Sequence, residues 1–461
     1  MQVLISAGEA SGEMYGAQLI EALRRRDPSV QFFGAGGERM AAAGCEIVVD
    51  AKDLAVVGIT EIVGHLAKIL GLYRKLIRAA DERRPALAVV IDAPAFNWRV
   101  ARQMRKRGIP VVYYVCPQFW AWRQGRVKLL RKYADKALVI FPFEEKFYRD
   151  RGVDATFVGH PLADLAPPAI SRDAYAAANQ LDAAKLWITL MPGSRRKEVG
   201  MNLPTILEAA RSLDADRPDQ DRLDKGRLGS GYEFLLPVAR TLEASFLQEI
   251  IATAQVRQSA SLQNRIHLVT EALPALYHSR AAIVASGTAT VEAAIMGTPF
   301  VMVYRVSALT YALGKPRVKV PYFAMVNLIA EEEVVPELVQ SKFTAENIVA
   351  ELNKIIADGE PRERMIGGLA AVKARLKHGS GSAQHPSEAA AEIILRMVEG
   401  TWAGGEFAFS LEVFRQSQSH AGGGARATLK TKQISATLVV TASFAGKSTS
   451  YQWSFSPGDS T

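Results

Sequence analysis

Short apolar runs alternate with amphipathic segments along most of the chain. In the first third, these runs have the length and composition of strands buried on both faces of a parallel sheet. They are residues 2–6, 30–33, 87–91, 111–115 and 136–140. Residues 15–25 and 99–107, which lie between them, carry apolar positions at helical spacing. The alternation predicts a doubly wound α/β domain.

The same pattern begins again after the Pro-Pro pair at 167–168. The second set of predicted strands comprises residues 186–190, 233–237, 265–269, 281–285 and 300–304. We therefore predict an α/β fold of two Rossmann-like domains that face each other across a cleft. The predicted domains are residues 1–164 and 165–399, with a linker near residues 161–173.

Two stretches differ from this pattern. Residues 214–230 are charged and contain glycine, so we expect a surface insertion between a helix and a strand. Residues 400–461 contain two glycine clusters and Ser/Thr-rich segments, and they carry no recognisable chemistry. Disorder, a small β appendage and a reading-frame artefact all remain open for this tail.

Composition narrows the class of protein. The 461 residues, 49% hydrophobic and 22% charged, are typical of a soluble globular chain with two sizeable cores. We expect no signal peptide and no membrane span, because the chain begins without a basic segment and has no long apolar run. Cys45 and Cys116 do not make a disulfide framework and indicate a reducing compartment. The net charge of +9, without a nucleic-acid motif, favours phosphorylated substrates or an anionic membrane surface.

The most informative candidate site follows the apolar run 281–285. It comprises Ser286, Gly287, Thr288, Ala289 and Thr290, with Glu292 in the first turn of the following predicted helix. A turn of small residues lets backbone N–H groups approach a bound anion, and the helix N-terminus adds a favourable dipole. Glu292 is placed to accept hydrogen bonds from ribose hydroxyls. An ordinary strand–helix turn capped by a threonine fits the same residues.

Two loops of the first domain are candidates for the same cleft. Glu9 and Ser11 follow the first strand in a glycine-containing loop, where Ser11 could also be a simple helix cap. Asp92 follows the strand at 87–91 and could act as a general base on an acceptor hydroxyl. Its alternative role is to cap the next helix or to order the proline turn.

A basic loop, Ser194 and Arg195 after Gly193, follows the first strand of the second domain. Arginine can bind a phosphate through two parallel hydrogen bonds, although a solvated basic loop fits as well. The chain lacks the Asp-x-Asp sequence of a divalent-metal nucleotide-sugar site, so we predict neither a metal nor a cofactor. His160, at the expected hinge, favours a structural role over a catalytic one.

Residues 54–80 are apolar with interspersed Lys and Arg. This pattern is typical of a helix that docks on an anionic bilayer, and it also fits a core helix whose cations extend to the surface. The predicted membrane-facing residues are Val63, Leu66, Ile69 and Leu70.

Taken in order, these motifs resemble the lipid-A-disaccharide synthases over residues 1 to about 398. Each motif alone is weak, but chance does not produce nine of them in order. They are residues 7–13, 57–61, 91–97, 117–122, 141–144, 158–161, 191–195, 285–290 and 336–340.

The resemblance implies a GT-B-type inverting glycosyltransferase. Such enzymes join UDP-2,3-diacylglucosamine to 2,3-diacylglucosamine 1-phosphate (lipid X), which makes a β-1,6-linked disaccharide and UDP. The product is a precursor of the lipopolysaccharide anchor of Gram-negative bacteria. The resemblance also implies a peripheral protein on the cytoplasmic face of the inner membrane, in a family that often forms homodimers.

The resemblance also assigns roles to individual residues. Asp92 matches the family's essential acidic residue, Glu9 and Ser11 match the loop lining the cleft, and Arg195 matches the arginine assigned to the donor diphosphate. The nucleotide-binding turn is matched by Ser286, Gly287, Thr288, Ala289, Thr290 and Glu292. Asn327 and Gln340 match polar positions near the same site.

The chain departs from the family pattern at a few positions. Ala95 stands where a second Asp is frequent, Cys116 where Ser is usual, and Val326 where Pro often precedes Asn327. Two rival functions stay open. One is a UDP-GlcNAc 2-epimerase of the same architecture, which needs no apolar helix at 54–80. The other is a non-catalytic nucleotide-sugar-binding protein.

Overall fold

The computed structural model describes residues 1–8, 10–54, 62–215, 231–239, 241–256, 265–315, 318, 320–377, 385–403, 409–416, 435–444 and 447–455. The chain forms two compact units, Met1–Ala391 and Glu392–Thr461. The predicted insertion at residues 214–230 lies outside the described residues except for its first two positions.

The first half of the larger unit is built on a seven-stranded parallel sheet in the order β3-β2-β1-β4-β5-β6-β7. Its strands are β1 (Gln2–Ala7), β2 (Gln31–Gly36), β3 (Cys45–Asp50), β4 (Leu87–Ile91), β5 (Val111–Tyr114), β6 (Lys136–Val139) and β7 (Ala155–Phe157). The helices between them are α1 (Ala10–Arg26), α2 (Glu38–Ala42), α3 (Ala51–Leu54), α4 (Ile62–Arg83), α5 (Pro94–Lys106), α6 (Val127–Tyr133) and α7 (Pro142–Arg149).

The second half of that unit contains a six-stranded parallel sheet in the order β10-β9-β8-β11-β12-β13. Its strands are β8 (Leu186–Met191), β9 (Tyr232–Pro237), β10 (Ile266–Val269), β11 (Ala281–Ala285), β12 (Phe300–Tyr304) and β13 (Glu337–Val339). The helices are α8 (Arg172–Asn179), α9 (Arg196–Ala215), α10 (Ala244–Val256), α11 (Ala272–His278), α12 (Thr288–Met296), α13 (Ala308–Gly314), α14 (Met325–Ala330), α15 (Ala345–Ile356) and α16 (Glu360–Arg375), followed by α17 (Pro386–Ala403), which begins in this unit and continues into the smaller one.

The central strands are the most deeply buried parts of both sheets. Every residue of β4 and of β11 is buried, because helices cover both faces of each sheet. Such strands need continuous apolar sequence, which is why the sequence pattern revealed them. Each of the ten predicted strands coincides with an observed strand to within three residues at either end.

The two halves are joined by more than the linker. The backbone N–H of His160, after β7, donates to the carbonyl of Leu376 at 2.8 Å. Glu388, in the first turn of α17, forms ion pairs with Arg25 and Arg26 of α1 at 2.5 and 3.0 Å. The chain therefore returns to the first half after completing the second.

In the smaller unit, the described strands form a three-stranded antiparallel sheet in the order β14-β15-β16. The strands are β14 (Phe409–Gln416), β15 (Ser435–Phe444) and β16 (Lys447–Phe455).

Candidate active site

The strand order reverses once in each sheet of the larger unit, between β1 and β4 and between β8 and β11. In open parallel sheets, ligands bind outside the carboxyl ends of the strands at this switch point. Ser11 lies in the first turn of α1, just after β1, and the loops after β4, β8 and β11 carry Asp92, Ser194 and Ser286. The topology therefore brings the sequence-predicted loops to the two places where ligand binding is expected.

The turn after β4 has an unusual backbone. Asp92 and Ala93 have φ angles of 46° and 42°, in the left-handed region that residues with a Cβ rarely adopt. Ala93 is the residue that precedes helix α5, and no side chain caps that helix. Ala93, and not Asp92, therefore occupies the N-cap position of α5. The general-base role of Asp92 and its alternative role in capping the helix or ordering the proline turn both stay predictions.

Asn97 holds this turn in place. It is fully buried, and its Nδ2 donates to the carbonyls of Ser6, Ile91 and Asp92 at 3.1, 2.8 and 2.9 Å. Its Oδ1 accepts from the Ser6 hydroxyl at 2.7 Å. The Tyr113 hydroxyl donates a further bond to the Asp92 carbonyl at 2.8 Å. Each bond contributes about 0.5–1.5 kcal/mol, which offsets the roughly 1–3 kcal/mol of strain at each left-handed residue.

Asp92 opens onto a cavity of about 150 Å³ that both halves line. The first half contributes Ser11, Tyr15, Asp92, Val115, Cys116, Pro117, Gln118, Ile140, Phe141 and His160. The second half contributes Thr288, Val291 and Met325. Three of the sequence-predicted residues, Ser11, Asp92 and Thr288, thus line one cavity.

The charges near this cavity are partly shielded from water. Burial raises the pKa of Glu292 to about 6. Burial and the negative charges of Glu292 and Asp92 together raise the pKa of the Tyr15 phenol far above its usual range. The Tyr15 hydroxyl therefore stays protonated at neutral pH and feels the charges of carboxylates from both halves.

The turn after β11 has the open geometry expected of an anion site. Gly287 has a φ of 144°, and a Cβ there would meet no heavy atom within 4 Å. Gly287 is the residue that precedes α12, and no side chain caps the helix. The Thr290 hydroxyl donates to the Gly287 carbonyl at 2.7 Å instead of accepting from the backbone, so the capping-threonine alternative is wrong. The Thr290 N–H donates to the same carbonyl at 3.1 Å, so the N–H groups of Thr288 and Ala289 are the first-turn donors that remain available to an anion.

Ser286 is part of a second anchored loop. Its hydroxyl donates to the Phe323 carbonyl at 2.9 Å, so it supports the neighbouring chain. Asn327 is fully buried, and its amide bonds the carbonyl of Val335, the carboxylate of Glu337 and the N–H groups of Val334 and Val335. Because these bonds occupy the Asn327 amide, we expect this residue to order the loop beside Ser286 and not to touch a ligand directly.

Gln340 has a similar position at the end of β13. Its amide donates to the Val306 carbonyl at 3.1 Å and accepts from the Val306 N–H at 3.2 Å. This exchange closes the loop after β12 against the loop after β13. The sequence-predicted Gln340 thus also lies in a supporting position near the switch point.

The loop after β8 is exposed and basic. Ser194 and Arg195 are exposed, and the Ser194 N–H donates to the Glu198 carboxylate at 3.2 Å. The Thr241 hydroxyl fixes the Ser194 carbonyl at 2.5 Å. Glu198, which sequence reasoning did not single out, therefore orders the loop and leaves the Arg195 side chain directed to solvent.

Other predicted residues have less structural context. Glu9 lies outside the described residues, as do the side chains of Val63 and Leu66 on α4. Ile69 on the same helix is half-buried, and Leu70 is 39% exposed. An exposed leucine on an amphipathic helix is compatible with the membrane-facing prediction, which stays a prediction.

Glu144 and His160 are buried polar residues that sequence reasoning left without a site role. The Glu144 carboxylate accepts from Trp120 Nε1 at 2.8 Å and from the N–H groups of Ile140 and Phe141. Burial raises its pKa to about 7 despite these bonds. Glu144 thereby fixes the strand end that lines the cavity. The signal in the sequence was the acid three residues after Phe141 in Phe-Pro-Phe-Glu.

A second cavity, of about 350 Å³, lies at the amino end of β8, opposite the switch point. It is lined by Arg172, Lys185, Arg280 and Arg362 among others. Arg172 donates to three backbone carbonyls and Arg362 to two, so these side chains tie α8 and α16 to the sheet. Their hydrogen bonds to backbone carbonyls indicate a structural role for these arginines.

Comparison with known proteins decides the family. A sequence model of the lipid-A-disaccharide synthetase family matches residues 3–393. The lipid-A-disaccharide synthase of Koribacter versatilis is 51% identical over 400 residues, which is 86% of this chain and 98% of that protein. The chain belongs to the lipid-A-disaccharide synthetase family. The predicted resemblance and enzyme class are confirmed: a glycosyltransferase that forms the lipid A disaccharide.

Solved structures support the fold of this family member. The UDP-GlcNAc 2-epimerase from Neisseria meningitidis, solved with UDP-GlcNAc bound, has a TM-score of 0.57 at 12% identity. That match covers 87% of this chain and all of the epimerase chain. The glycotransferase of kitacinnamycin has a TM-score of 0.54 at 16% identity and covers 86% of this chain and 98% of its own. The predicted GT-B architecture is confirmed; identities this low show fold alone and do not favour the epimerase alternative.

Two further observations bear on binding. Within the described residues, no group of three or more His, Cys, Asp or Glu side chains is placed to share a metal ion. No helix in the described part of the chain has the length and apolarity required to cross a membrane.

Proposed function

We propose that this synthetase transfers 2,3-diacylglucosamine from UDP to the 6-hydroxyl of 2,3-diacylglucosamine 1-phosphate (lipid X), with inversion. The observation that carries the proposal is the cavity in which Asp92 of one switch point lies with Thr288 of the other. Such a cavity can hold the reacting sugar between a base on one side and a nucleotide-binding turn on the other.

Asp92 is the general base in this proposal. It removes the proton of the acceptor 6-hydroxyl while O6 attacks C1 of the donor sugar. The bond between C1 and the β-phosphate oxygen breaks, its electron pair leaves with UDP, and attack from the opposite face produces a β-1,6 linkage. A positioned general base typically contributes a factor of about 10²–10⁴.

The donor lies on the second half. Arg195 and the N–H groups at the start of α12 neutralise the diphosphate, Ser194 lies beside them, and Glu292 accepts from the ribose hydroxyls. Fixed donors and a helix dipole stabilise a leaving diphosphate without a metal ion. Glu9 and Ser11 line the acceptor side, while Asn327 and Gln340 support the nucleotide loop from behind.

Both proposed substrates carry acyl chains, so the site must meet a lipid surface. We place this surface at α4, where Val63, Leu66, Ile69 and Leu70 would enter the bilayer beside basic residues. The proposed location is the cytoplasmic face of the inner membrane, with the protein bound peripherally. Homodimers are proposed from the family resemblance.

The proposal is tested by incubating the full chain with UDP-2,3-diacylglucosamine and lipid X and detecting the disaccharide by mass. The expected result is a disaccharide that requires both substrates, with UDP released in equal amount. Digestion of the product with an anomer-specific glycosidase tests the inversion. UDP binding without any disaccharide would favour a non-catalytic role and would refute the proposal.

The membrane proposal has its own test. Ile69→Ser with Leu70→Ser is expected to release the protein from anionic vesicles in a flotation assay, with the melting temperature nearly unchanged. The matched control is Ile366→Ser on α16, where the side chain is also 39% exposed. Vesicle binding that survives the double change would place the contact elsewhere.

A further inference from the structure

His160 presents one unused hydrogen-bond donor to the cavity. It follows β7, is 1% exposed, and lines the cavity together with Asp92 and Thr288. Its Nδ1 accepts a hydrogen bond from the Leu162 N–H at 3.2 Å. Because an accepting nitrogen carries no proton in a neutral imidazole, the proton of this ring resides on Nε2.

The ring is held in this state from several sides. Its plane packs against Phe141 with a centroid distance of 5.2 Å, and its backbone N–H is bonded to Leu376 of the second half. Burial lowers the pKa of His160 to about 3, so the ring is uncharged at neutral pH. Among the described residues, Nε2 has no hydrogen-bond partner and is not one of the fully enclosed polar atoms, so it keeps accessible surface at which a ligand in the cavity can bond it.

The composition of the cavity indicates what that partner is. None of its described lining residues is a lysine or arginine. A diphosphate would lack a counter-charge there, and Arg195, the counter-charge proposed for it, is not among the lining residues. The polar groups that are present, namely the hydroxyls of Ser11 and Tyr15, the Gln118 amide and the Asp92 carboxylate, are the mixture that recognises sugar hydroxyls.

We propose that His160, as a neutral imidazole, donates a hydrogen bond from Nε2 to an uncharged oxygen of the donor sugar bound between Asp92 and Thr288. This assignment rests on the proposed transfer reaction for the identity of the sugar. His160 binds the sugar in the orientation that exposes C1 to the acceptor oxygen beside Asp92. It neither gives up nor receives a proton during the reaction.

Two variants separate hydrogen bonding from packing. His160→Phe keeps a ring against Phe141 and removes the donor, while His160→Gln places an N–H near the position of Nε2. We expect His160→Phe to lower kcat/KM for disaccharide formation roughly 10- to 100-fold, the effect of losing one buried hydrogen bond. His160→Gln should recover to within about fivefold of the unchanged protein. His385→Gln, which makes the same change outside the cavity, should have no effect.

Either of two kinetic results would overturn the proposal. One is near-normal kcat/KM in His160→Phe. The other is an equal loss in both variants, which would mark a packing role. Affinity for UDP alone should be unchanged in both variants, because the proposed contact is with the sugar.

A binding measurement that needs no turnover tests the role of His160 independently of the proposed reaction. Histidine labelled with ¹⁵N would show His160, assigned by its loss in His160→Phe, as the Nε2–H tautomer. We expect its Nε2–H resonance to move on adding UDP-2,3-diacylglucosamine and to stay in place with UDP. A shift with UDP alone, or no shift with either, would contradict the sugar contact. Should the unchanged protein form no disaccharide, the resonance shift still decides the role of His160.

Discussion

At the carboxyl edge of the first sheet, side chains hold the turn after β4, whereas glycine holds open the turn after β11 of the second sheet. Asp92 and Ala93 are forced into left-handed backbone by the buried amide of Asn97. Gly287 adopts its positive φ because glycine has no Cβ, and a Cβ built there would meet no heavy atom within 4 Å. The same strand order thus supports two designs: one fixes a single carboxylate, and the other leaves backbone N–H groups for an anion.

The largest expected effect is the loss of turnover on changing Asp92, in the turn after β4. Asp92→Asn removes the proposed base and should lower kcat about 10²- to 10⁴-fold, with UDP affinity nearly unchanged because the proposed nucleotide site is on the other half. The measurement is initial-rate disaccharide formation beside a UDP titration. Asp81→Asn, an exposed acid on α4, serves as the control. Near-normal turnover in Asp92→Asn would remove the base role.

The next change removes the Asn97 side chain, whose hydrogen bonds hold the same turn. Asn97→Ala leaves the hydroxyl of Ser6 and three carbonyls without their partner, so we expect the free energy of unfolding to fall by about 2–4 kcal/mol. Urea unfolding measures it. Asn353→Ala, at an exposed position of α15, should stay within about 0.5 kcal/mol. An equally small change for Asn97 would mean that the strained turn supports itself.

Arg195→Ala tests the proposed anion site at the edge of the second sheet. Loss of a charged hydrogen bond to the diphosphate should weaken UDP binding by about 1.5–3 kcal/mol while leaving unfolding unaffected. Calorimetric titration of UDP is the measurement. Arg196→Ala is the matched neighbour, since the Arg196 guanidinium lies over the Phe246 ring, 4.2 Å from its centroid, and is not assigned to the ligand. Unchanged UDP affinity in Arg195→Ala would exclude Arg195 from the site.

Gly287→Ala sharpens the comparison because it adds one methyl group to open space. The cost comes from backbone conformation alone, so we expect about 1–2 kcal/mol of lost stability and weaker UDP binding. Gly367→Ala in α16 also meets nothing within 4 Å, yet it should stabilise the protein by about 0.5–1 kcal/mol because its helical backbone accepts alanine. The same sign for both changes would contradict this account.

The smallest effect is a pH dependence. If Glu292 accepts from ribose, its ionised form binds better, so affinity should rise with pH through the raised pKa of about 6. Between pH 6 and 7.5 the expected gain is about twofold. UDP-2,3-diacylglucosamine is the probe, because a substituted diphosphate does not itself titrate in this range. Glu292→Gln should make the profile flat; a steeper or inverted profile in the unchanged protein would assign the titration to another group.

The sequence predicted the inner strands well and the outer strands poorly. Within the two parallel sheets, the three strands it missed, β3, β7 and β13, all lie at sheet edges, and β7 and β13 have only three residues; the fourth edge strand, β10, was predicted. An edge strand is not enclosed on all sides, so its sequence need not be continuously apolar. The predicted helix at 54–80 corresponds to α4 from Ile62 onward, while residues 55–61 lie outside the described part.

The candidate site shows a similar division between residues that the sequence indicated and contacts that it did not. A motif read along the chain indicated Asp92, Arg195 and the turn at Ser286, because each follows a predicted strand. It did not show that Asn97 bonds the carbonyls of Ser6, Ile91 and Asp92, nor that the Asn327 amide is already bonded within its own loop. Hydrogen bonds of single side chains to the backbone leave no periodic signal in the sequence.

By itself, the sequence determined the two-domain α/β architecture and the family, and it indicated the loops that are the candidates for chemistry. These properties are local, since they depend on apolar runs, small-residue turns and short motifs. Only the tertiary structure decided which predicted residues share a cavity, which ones support it from behind, and which nitrogen of His160 carries the proton. Those properties depend on strand order and on contacts between distant residues, which form only when both sheets are in place.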